Sequence, residues 1–259
     1  MRIALAQQTP PGDADPLARL DALAAQAKSA GAALLVTPEM GMTGYDIGPA
    51  KVAERAEAVN GPIMTAVASI ARRHAIAIVA GFPECAGRGK PYNAAALIDA
   101  GGHCLSVCRK THLFGDVDRS QFTPGDALAQ PVDLNGWRVS LAICYDIEFP
   151  EVARHFALQG VEAILVPTAN MLPFVSIANR VVPVRAEENA VYVAYANYCG
   201  PEGRFDYCGL SCICGPDGND LARAANDPAL IVADLSKSTL AEVRSMSTHL
   251  ADRRPDLYR

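Results

Sequence analysis

The sequence predicts a mixed α/β fold in one domain that spans residues 1–259. Apolar runs typical of strands alternate with helical patterns almost from the first residue. Hydrophobic residues make up 50% of the 259 positions, which is enough for a large core. No repeat, linker or low-complexity segment divides the chain. The tail from about residue 245 to residue 259 is too polar to belong to that core.

The first elements follow the strand–helix order of a β-α unit. The run Arg2–Ala6 predicts a strand, and a polar loop follows it. Asp15 is a capping acid directly before Pro16, so a helix begins there, and Gly31 ends it. The run Ala33–Thr37 then predicts a short buried strand.

A glycine turn marks a β-hairpin in the middle of the chain. Strands are expected over Ala94–Asp99 and His103–Arg109, on either side of the turn at residues 100–102. The turn Pro216–Asn219 lies between two further strand-like segments, Cys208–Cys214 and Leu230–Leu235. The other predicted elements are helix Gly61–His74, strand Ile76–Ala80, strand Trp137–Ile143, helix Pro150–Leu158, strand Ala163–Val166, a helix within Ile177–Glu188 and strand Val191–Asn197.

Composition excludes several classes of protein. The chain has 23 basic and 28 acidic residues, a net charge of −5, so we expect no nucleic-acid partner and no anionic membrane partner. We also expect neither a signal peptide nor a transmembrane helix, because no long apolar run is present. The eight cysteines include no Cys-x-x-Cys pair, and the cluster Cys208, Cys212 and Cys214 lacks the usual zinc spacing. Reduced thiols in a cytoplasmic protein are therefore expected.

Three reactive side chains each follow a predicted strand. Glu39 comes after Ala33–Thr37, Lys110 directly after the second hairpin strand, and Cys144 at the end of Trp137–Ile143. Functional groups in α/β sheets gather beyond the carboxyl ends of strands, where the loops open a crevice. Taken alone, Glu39 is also explained as an acid in a loop, Lys110 as a basic surface residue and Cys144 as a small core residue. Together they predict one active site.

The segments around these residues resemble the motifs of the nitrilase superfamily, the carbon–nitrogen hydrolases. The three segments are Val36–Tyr45 (VTPEMGMTGY), Arg109–Phe114 (RKTHLF) and Ala142–Glu151 (AICYDIEFPE). They occur in the family's order and with family-like spacing, and the strand–helix alternation is similar over essentially the whole chain. The resemblance implies a four-layer α-β-β-α sandwich and pairing of subunits through helices that flank the site. We therefore expect a homodimer or larger even oligomer, and we expect the polar tail Ser245–Arg259 to reach over a neighbour.

The resemblance also implies hydrolysis of a non-peptide C–N bond through a thioester. Cys144 would be the nucleophile and Glu39 the general base. Lys110 would stabilise the oxyanion together with the backbone N–H of Tyr145. No metal ion and no organic cofactor is needed for this chemistry.

A fourth acidic residue departs from the family pattern. Family members often carry a second glutamate four positions before the aromatic residue of an aromatic-x-Pro-Gly segment. Here that segment begins at Phe122, and the corresponding residue is Asp118, one methylene shorter. We expect Asp118 to orient Lys110 or Glu39, with Asp116 as the competing candidate.

The residues that flank the motifs favour a small carboxamide as substrate. Cys-Tyr-Asp at the nucleophile is similar to the amidase branches, and closest to small aliphatic or stereoselective carboxamide amidases. The predicted substrate-binding residues are Tyr45, Phe114, Tyr145, Asn170 and Met171, with Phe174 beside them. An apolar or modestly polar amide is favoured, because neither the nucleophile segment nor the segment with Asn170 and Met171 offers an evident arginine fork for a carboxylate. Arg180 and Arg185 remain candidates for one.

Other functions stay open at this point. An N-carbamoyl amidase or an ω-amidase of the same superfamily would use the same chemistry on a different acyl group. An inactive interaction module with the same fold would have no need of the intact Glu39, Lys110 and Cys144. A thiol redox protein would need a resolving cysteine at Cys-x-x-Cys spacing.

Overall fold

The computed structural model describes residues 1–258, and its elements are named here in chain order. The strands are β1 Arg2–Gln7, β2 Leu34–Val36, β3 Ala77–Glu84, β4 Tyr92–Ile98, β5 Cys104–Arg109, β6 Val132–Leu134, β7 Trp137–Leu141, β8 Ala163–Pro167, β9 Tyr192–Ala196, β10 Cys199–Glu202, β11 Phe205–Cys208, β12 Cys212–Cys214, β13 Asp220–Arg223 and β14 Ala229–Asp234. The helices are α1 Pro16–Ser29, α2 Pro49–Arg55, α3 Pro62–His74, α4 Gly115–Gln121, α5 Pro150–Leu158, α6 Val182–Glu187 and α7 Lys237–Met246.

The strands form two six-stranded sheets and a small hairpin. The first sheet has the order β14-β1-β2-β3-β4-β5, and the second has the order β13-β12-β9-β8-β7-β6. In each sheet three central strands are parallel, β1-β2-β3 in the first and β7-β8-β9 in the second. Antiparallel strands complete both edges. The hairpin β10-β11 stands apart from both sheets.

The layers are helix, sheet, sheet and helix. Apolar side chains of both sheets, such as Leu5 and Val79 from the first and Leu141 and Leu165 from the second, share one buried cluster between the sheets. Helices α1 and α3 cover the other face of the first sheet, and α5 and α6 cover the other face of the second. The four-layer α-β-β-α sandwich is therefore confirmed.

Local signals in the sequence placed most element ends correctly. The Asp15 side chain accepts a hydrogen bond from the backbone N–H of Leu17 at 2.9 Å and caps α1. Pro16, Pro62 and Pro150 each stand in the first turn of a helix, where a missing N–H costs nothing. The predicted hairpin is present as β4 and β5.

Two predictions about secondary structure were wrong, and two short helices were not predicted. The segment Cys208–Cys214 is not one strand: it divides between β11 and β12, because Leu210 has a left-handed backbone with φ +59°. The turn Pro216–Asn219 joins β12 to β13, whereas β14 crosses to the first sheet and pairs with β1. Helices α2 and α4 were not predicted, because their short sequences show no apolar period.

The described helices do not resemble membrane spans, which need about 20 mostly apolar residues. Within residues 1–258, none combines the length and the hydropathy that crossing a bilayer requires.

Candidate active site

The structure brings Glu39, Lys110 and Cys144 to one edge of the sandwich. Glu39 follows β2 and Lys110 follows β5, both in the first sheet, whereas Cys144 follows β7 in the second. The backbone N–H of Glu39 donates to the carbonyl of Thr168, at the end of β8, at 3.2 Å, which joins the two sheets at this edge. The site therefore lies where the carboxyl ends of strands from both sheets meet.

Lys110 is the centre of a buried ionic cluster. Its Nζ lies 2.8 Å from Glu39 Oε1 and 2.7 Å from Asp118 Oδ2. The side chains of Lys110, Glu39 and Asp118 are all 0% exposed. Asn93 Nδ2 donates to the same Glu39 Oε1 at 2.6 Å. Glu39 Oε2 is buried and has no partner among residues 1–258, so one oxygen is held in place and the other is free to accept a proton.

Cys144 occupies a sharp turn between β7 and α5. Its φ is +48°, a left-handed conformation that costs a non-glycine residue free energy and is typical of functional positions. A 3₁₀ turn over Cys144–Glu148 follows directly. The Asp146 carboxylate accepts hydrogen bonds from the backbone N–H groups of Ile143 at 3.2 Å and His112 at 2.9 Å. It also accepts from Thr111 Oγ1 at 2.8 Å, so Asp146 ties the nucleophile turn to the segment after Lys110.

Burial and charge set the protonation states at the site. Burial raises the pKa of Glu39, and Asp118 raises it further, against the opposing effect of Lys110. Burial lowers the pKa of Lys110, but Asp118 and Glu39 outweigh this effect and raise it well above its usual value. Burial, with the charge of Glu39, raises the pKa of the Cys144 thiol well above its usual value. The thiol is therefore protonated at rest and needs a base before it can attack.

Asp118 reaches Lys110 although it is one methylene shorter than the family's glutamate. Helix α4 carries it inward, where Oδ1 accepts from the Tyr45 hydroxyl at 2.8 Å and Oδ2 from the Phe114 N–H at 2.7 Å. Asp116, on the same helix, is exposed to solvent. The structure thus brings Asp118, and not Asp116, to the cluster.

A cavity of about 210 Å³ opens beside the nucleophile. Its lining includes all five predicted substrate-binding residues, together with Cys144 and Phe174: Tyr45, Phe114, Tyr145, Asn170 and Met171. The Phe114 ring packs edge-on against Tyr145 and Phe174, with ring centroids 5.4 and 5.8 Å apart. The cavity is therefore small, and four of its nine lining residues are aromatic.

Sequence reasoning missed four residues at this site. Ala169 and Glu148 also line the cavity. Asn93 contacts Glu39, and Glu202 accepts from the backbone N–H groups of Tyr45 at 3.1 Å and Asp46 at 2.8 Å, which fixes that wall. Glu148 lies four residues after Cys144 in the motif Ala142–Glu151, and this position could have indicated that it lies near the site. No sequence pattern indicated Glu202.

Neither arginine that was considered for carboxylate binding lines the cavity. Arg180 is exposed in the π-helical turn before α6. Arg185 is almost buried, and its guanidinium donates to the carbonyls of Ile147 at 3.1 Å and Glu148 at 2.7 Å. Arg185 therefore braces the nucleophile turn from behind.

A cysteine pair lies away from the site on the β12-β13 hairpin. Cys212, Cys214 and Asp220 place their ligand atoms within 4.8 Å of one another. However, both Asp220 oxygens are already paired with the Arg223 guanidinium, at 2.6 and 2.8 Å. That positive charge opposes cation binding there.

This fold and site define a class: a cysteine hydrolase with a buried Glu-Lys pair on an α-β-β-α sandwich. Residues 2–245 match the model of the family described as carbon-nitrogen hydrolase, and the chain belongs to that family. Its relatives include the "Hydrolase in pqqF 5'region" of Pseudomonas protegens, 49% identical over 100% of this chain and 90% of that protein. Another is the (R)-stereoselective amidase of Pseudomonas sp., 35% identical over 85% of this chain and 79% of the relative.

Solved structures give the same assignment. The NitN amidase of Nesterenkonia sp. AN1 superposes with a TM-score of 0.87 at 35% identity, over 100% of this chain and 98% of that one. In a glutamine variant of that amidase, the acetamide moiety of fluoroacetamide is bound covalently to the active-site cysteine. The present chain is accordingly an amidohydrolase of the nitrilase superfamily that acts on non-peptide C–N bonds through a cysteine thioester.

Proposed function

We propose that this chain hydrolyses a small carboxamide to the carboxylate and ammonia, with Glu39, Lys110 and Cys144 as the catalytic residues. The observation that carries the proposal is the buried cluster of Glu39, Lys110 and Asp118. It lies close to the turn that holds Cys144, so that the charges of Glu39 and Lys110 act on the thiol. Asp118 supports the reaction as a positioning residue, since it contacts Lys110 and Tyr45.

In the first half-reaction Glu39 accepts the proton of the Cys144 thiol. The thiolate attacks the amide carbon, and the C=O π electrons move to oxygen. Lys110 and the backbone N–H of Tyr145 stabilise the oxyanion, an interaction that typically contributes about 10²–10³ in rate per donor. Glu39 then returns the proton to the nitrogen, the C–N bond breaks, and ammonia leaves behind a thioester.

In the second half-reaction Glu39 activates a water molecule. It takes one proton from water as the oxygen attacks the thioester carbon, and the tetrahedral intermediate forms again at the same oxyanion site. The C–S bond breaks, Cys144 recovers its proton from Glu39, and the product leaves as the carboxylic acid, which gives its remaining proton to the released ammonia and becomes the carboxylate. The raised pKa of Glu39 supports this double role, because a carboxyl group with a raised pKa both accepts and releases protons more readily near neutrality.

The cavity supports a small acyl group. At about 210 Å³ it lies below the usual range for drug-sized ligands, and four of its nine lining residues are aromatic. We propose Tyr45, Phe114, Tyr145, Asn170 and Met171 as the substrate-binding residues. A cysteine-to-alanine mutant of the Nesterenkonia amidase has been solved in complex with butyramide, an amide of suitable size for such a cavity.

The test is an ammonia-release screen of the purified protein. Short aliphatic amides, dicarboxylic monoamides, N-carbamoyl amino acids and nitriles should be compared by kcat/KM at one pH. We expect short carboxamides to be the best substrates, and the matched Cys144→Ala variant to release no ammonia from any of them. Preference for N-carbamoyl compounds or nitriles would refute the proposed substrate class.

We also propose that the chain forms a homodimer or a larger even oligomer through α5 and α6. Two apolar side chains on these helices are exposed, Leu158 at 50% and Val184 at 45%. Met246, at the end of α7, is 70% exposed where the polar tail begins, and we propose that this tail reaches over the neighbouring subunit. Light scattering at micromolar concentration is the test, and a strictly monomeric mass would contradict the proposal.

Residues 1–259 are proposed to form a single carbon–nitrogen hydrolase domain in the cytoplasm. The shared cluster between the two sheets supports one folding unit, which should unfold in a single cooperative transition. All eight cysteines are free thiols, which suits a reducing compartment. Fractionation of the native cells and a count of reactive thiols in the purified protein test the location.

A further inference from the structure

Glu148 introduces a carboxylate into the cavity that the mechanism above does not use. It lies in the 3₁₀ turn of the nucleophile and lines the same cavity as Cys144. Its backbone carbonyl accepts from Arg185 at 2.7 Å, which fixes this part of the turn. Among residues 1–258, no side chain or backbone group donates a hydrogen bond to its carboxylate.

The charges around the cavity leave Glu148 without a dedicated partner. Lys110 is bound by both Glu39 and Asp118. Arg185 uses its guanidinium on backbone carbonyls and on Glu188 Oε1, at 3.0 Å. Two carboxylates therefore already surround one lysine, and an ionised Glu148 adds further negative charge beside an aromatic wall.

We propose that Glu148 determines substrate specificity, and that it selects carboxamides whose acyl chain ends in a protonated amine. This inference rests on the proposed amidase function and names its substrate class. The carboxylate would bind the ammonium group, and the rings of Phe114, Tyr145 and Phe174 would enclose the carbon chain and favour a cation near their faces. A substrate that ends in a carboxylate, as an ω-amidase requires, would meet repulsion instead.

The ionisation of Glu148 provides an independent readout. Burial raises its pKa to about 7, against the opposing charges of Lys110 and Arg185. The other titratable groups nearby are Tyr45, Cys144 and Tyr145 in the cavity and Tyr195 in β9. Selection for a cation should therefore strengthen as the pH rises from 6 to 8 and Glu148 loses its proton.

The experiment compares three probes of nearly equal size. These are β-alaninamide, which carries a terminal ammonium, butyramide, which is its neutral isostere, and succinamate, which carries a terminal carboxylate. For each enzyme, the ratio of kcat/KM between two probes is measured at pH 6 and pH 8. The ratio cancels effects on the catalytic groups, because every probe uses the same thiol and base.

For the wild-type enzyme we expect β-alaninamide to exceed butyramide by about tenfold at pH 8, because hydrogen bonds to charged groups are the stronger ones. The preference should shrink at pH 6, and succinamate should be the poorest probe at both values. Glu148→Gln should abolish both the preference for β-alaninamide over butyramide and the pH dependence of that ratio. Glu54→Gln, an exposed glutamate on α2, is the matched control and should behave as wild type.

Several results would overturn the inference. Equal kcat/KM for β-alaninamide and butyramide in the wild-type enzyme at pH 8 would overturn it. This comparison needs no variant, so the test holds even if the Glu148→Gln protein folds poorly. An equal loss on all three probes in that variant would assign Glu148 to the reaction itself. Turnover of butyramide without a charge preference refutes only the specificity, whereas inactivity on every amide refutes the proposed function as well.

Discussion

Replacing Asp118 by Asn tests whether the ionic cluster works as a unit. Asn is nearly isosteric, and its amide oxygen can still accept from Lys110 and from the Phe114 N–H, which lie 2.7 Å from Oδ2 in the wild type. The new amide N–H₂ would face the Tyr45 hydroxyl, which can turn to accept. The substitution therefore removes a charge and few hydrogen bonds.

The magnitude follows from the geometry. A unit charge 2.7 Å from the Lys110 ammonium contributes a gross attraction of about 6 kcal/mol at an effective dielectric constant of about 20. Glu39, at 2.8 Å, remains as the second partner, so Lys110 stays charged but loses much of its orientation. We expect kcat to fall by about 10²–10³, the usual cost of a misplaced oxyanion donor, with KM nearly unchanged.

The pH profile provides a second readout, which a merely structural role would not change. In the wild type, burial raises the pKa of Glu39 and the charge of Asp118 raises it further. Removing that charge should lower the pKa of Glu39, so the acidic limb of kcat/KM should move to lower pH. The assay is ammonia release from butyramide across the pH range, with thermal unfolding as a measure of folding.

The matched control is Asp116→Asn, on the same helix but exposed to solvent. It should stay within about 0.5 kcal/mol of wild type in unfolding free energy and keep full activity. Asp118→Glu should also be harmful, because α4 is ordered and the fully buried site has no room for another methylene. Wild-type kcat in Asp118→Asn, or loss of activity in Asp116→Asn, would refute the reasoning.

Four further predictions follow from the site. Cys144→Ala should release no ammonia yet keep its circular dichroism spectrum, and Cys144→Ser should be nearly as poor; an acyl adduct found by mass spectrometry on another cysteine would contradict the thioester mechanism. Glu39→Gln and Lys110→Ala should each lower kcat by several orders of magnitude, and the double variant by much less than the product, whereas multiplied losses would mean separate sites. Metal chelators should leave activity unchanged, and a loss restored by added metal would be the opposing result. Folding raises the pKa of Glu148 from 4.5 to about 7, so the free energy of unfolding should fall as the pH rises through that window. The expected loss is about 1–3 kcal/mol after allowance for the partial exposure of Glu148. In urea unfolding, the free energy of unfolding of Glu148→Gln should depend less on pH than that of the wild type.

The sequence predicted much of the fold because local signals were strong. Asp15 before Pro16 fixed the start of α1, and the glycine turn at 100–102 fixed the β4-β5 hairpin. Helix α4 was not predicted because its seven residues include two aspartates and an arginine and show no apolar periodicity. The path of β14 into the first sheet was equally hidden, since strand pairing over such a distance leaves no trace in a local pattern.

The candidate site divides in the same way. The sequence alone determined the residue types of the chemistry and their places after strands: Glu39, Lys110 and Cys144 each stand in a motif with a recognisable order. Only the tertiary structure decided the partners of these residues. In the folded chain Lys110 contacts both Glu39 and Asp118 in a buried cluster, and Glu148 lines the cavity. The physical reason is that a pKa and a pocket depend on burial and on charges brought together from distant segments, which a linear sequence does not contain.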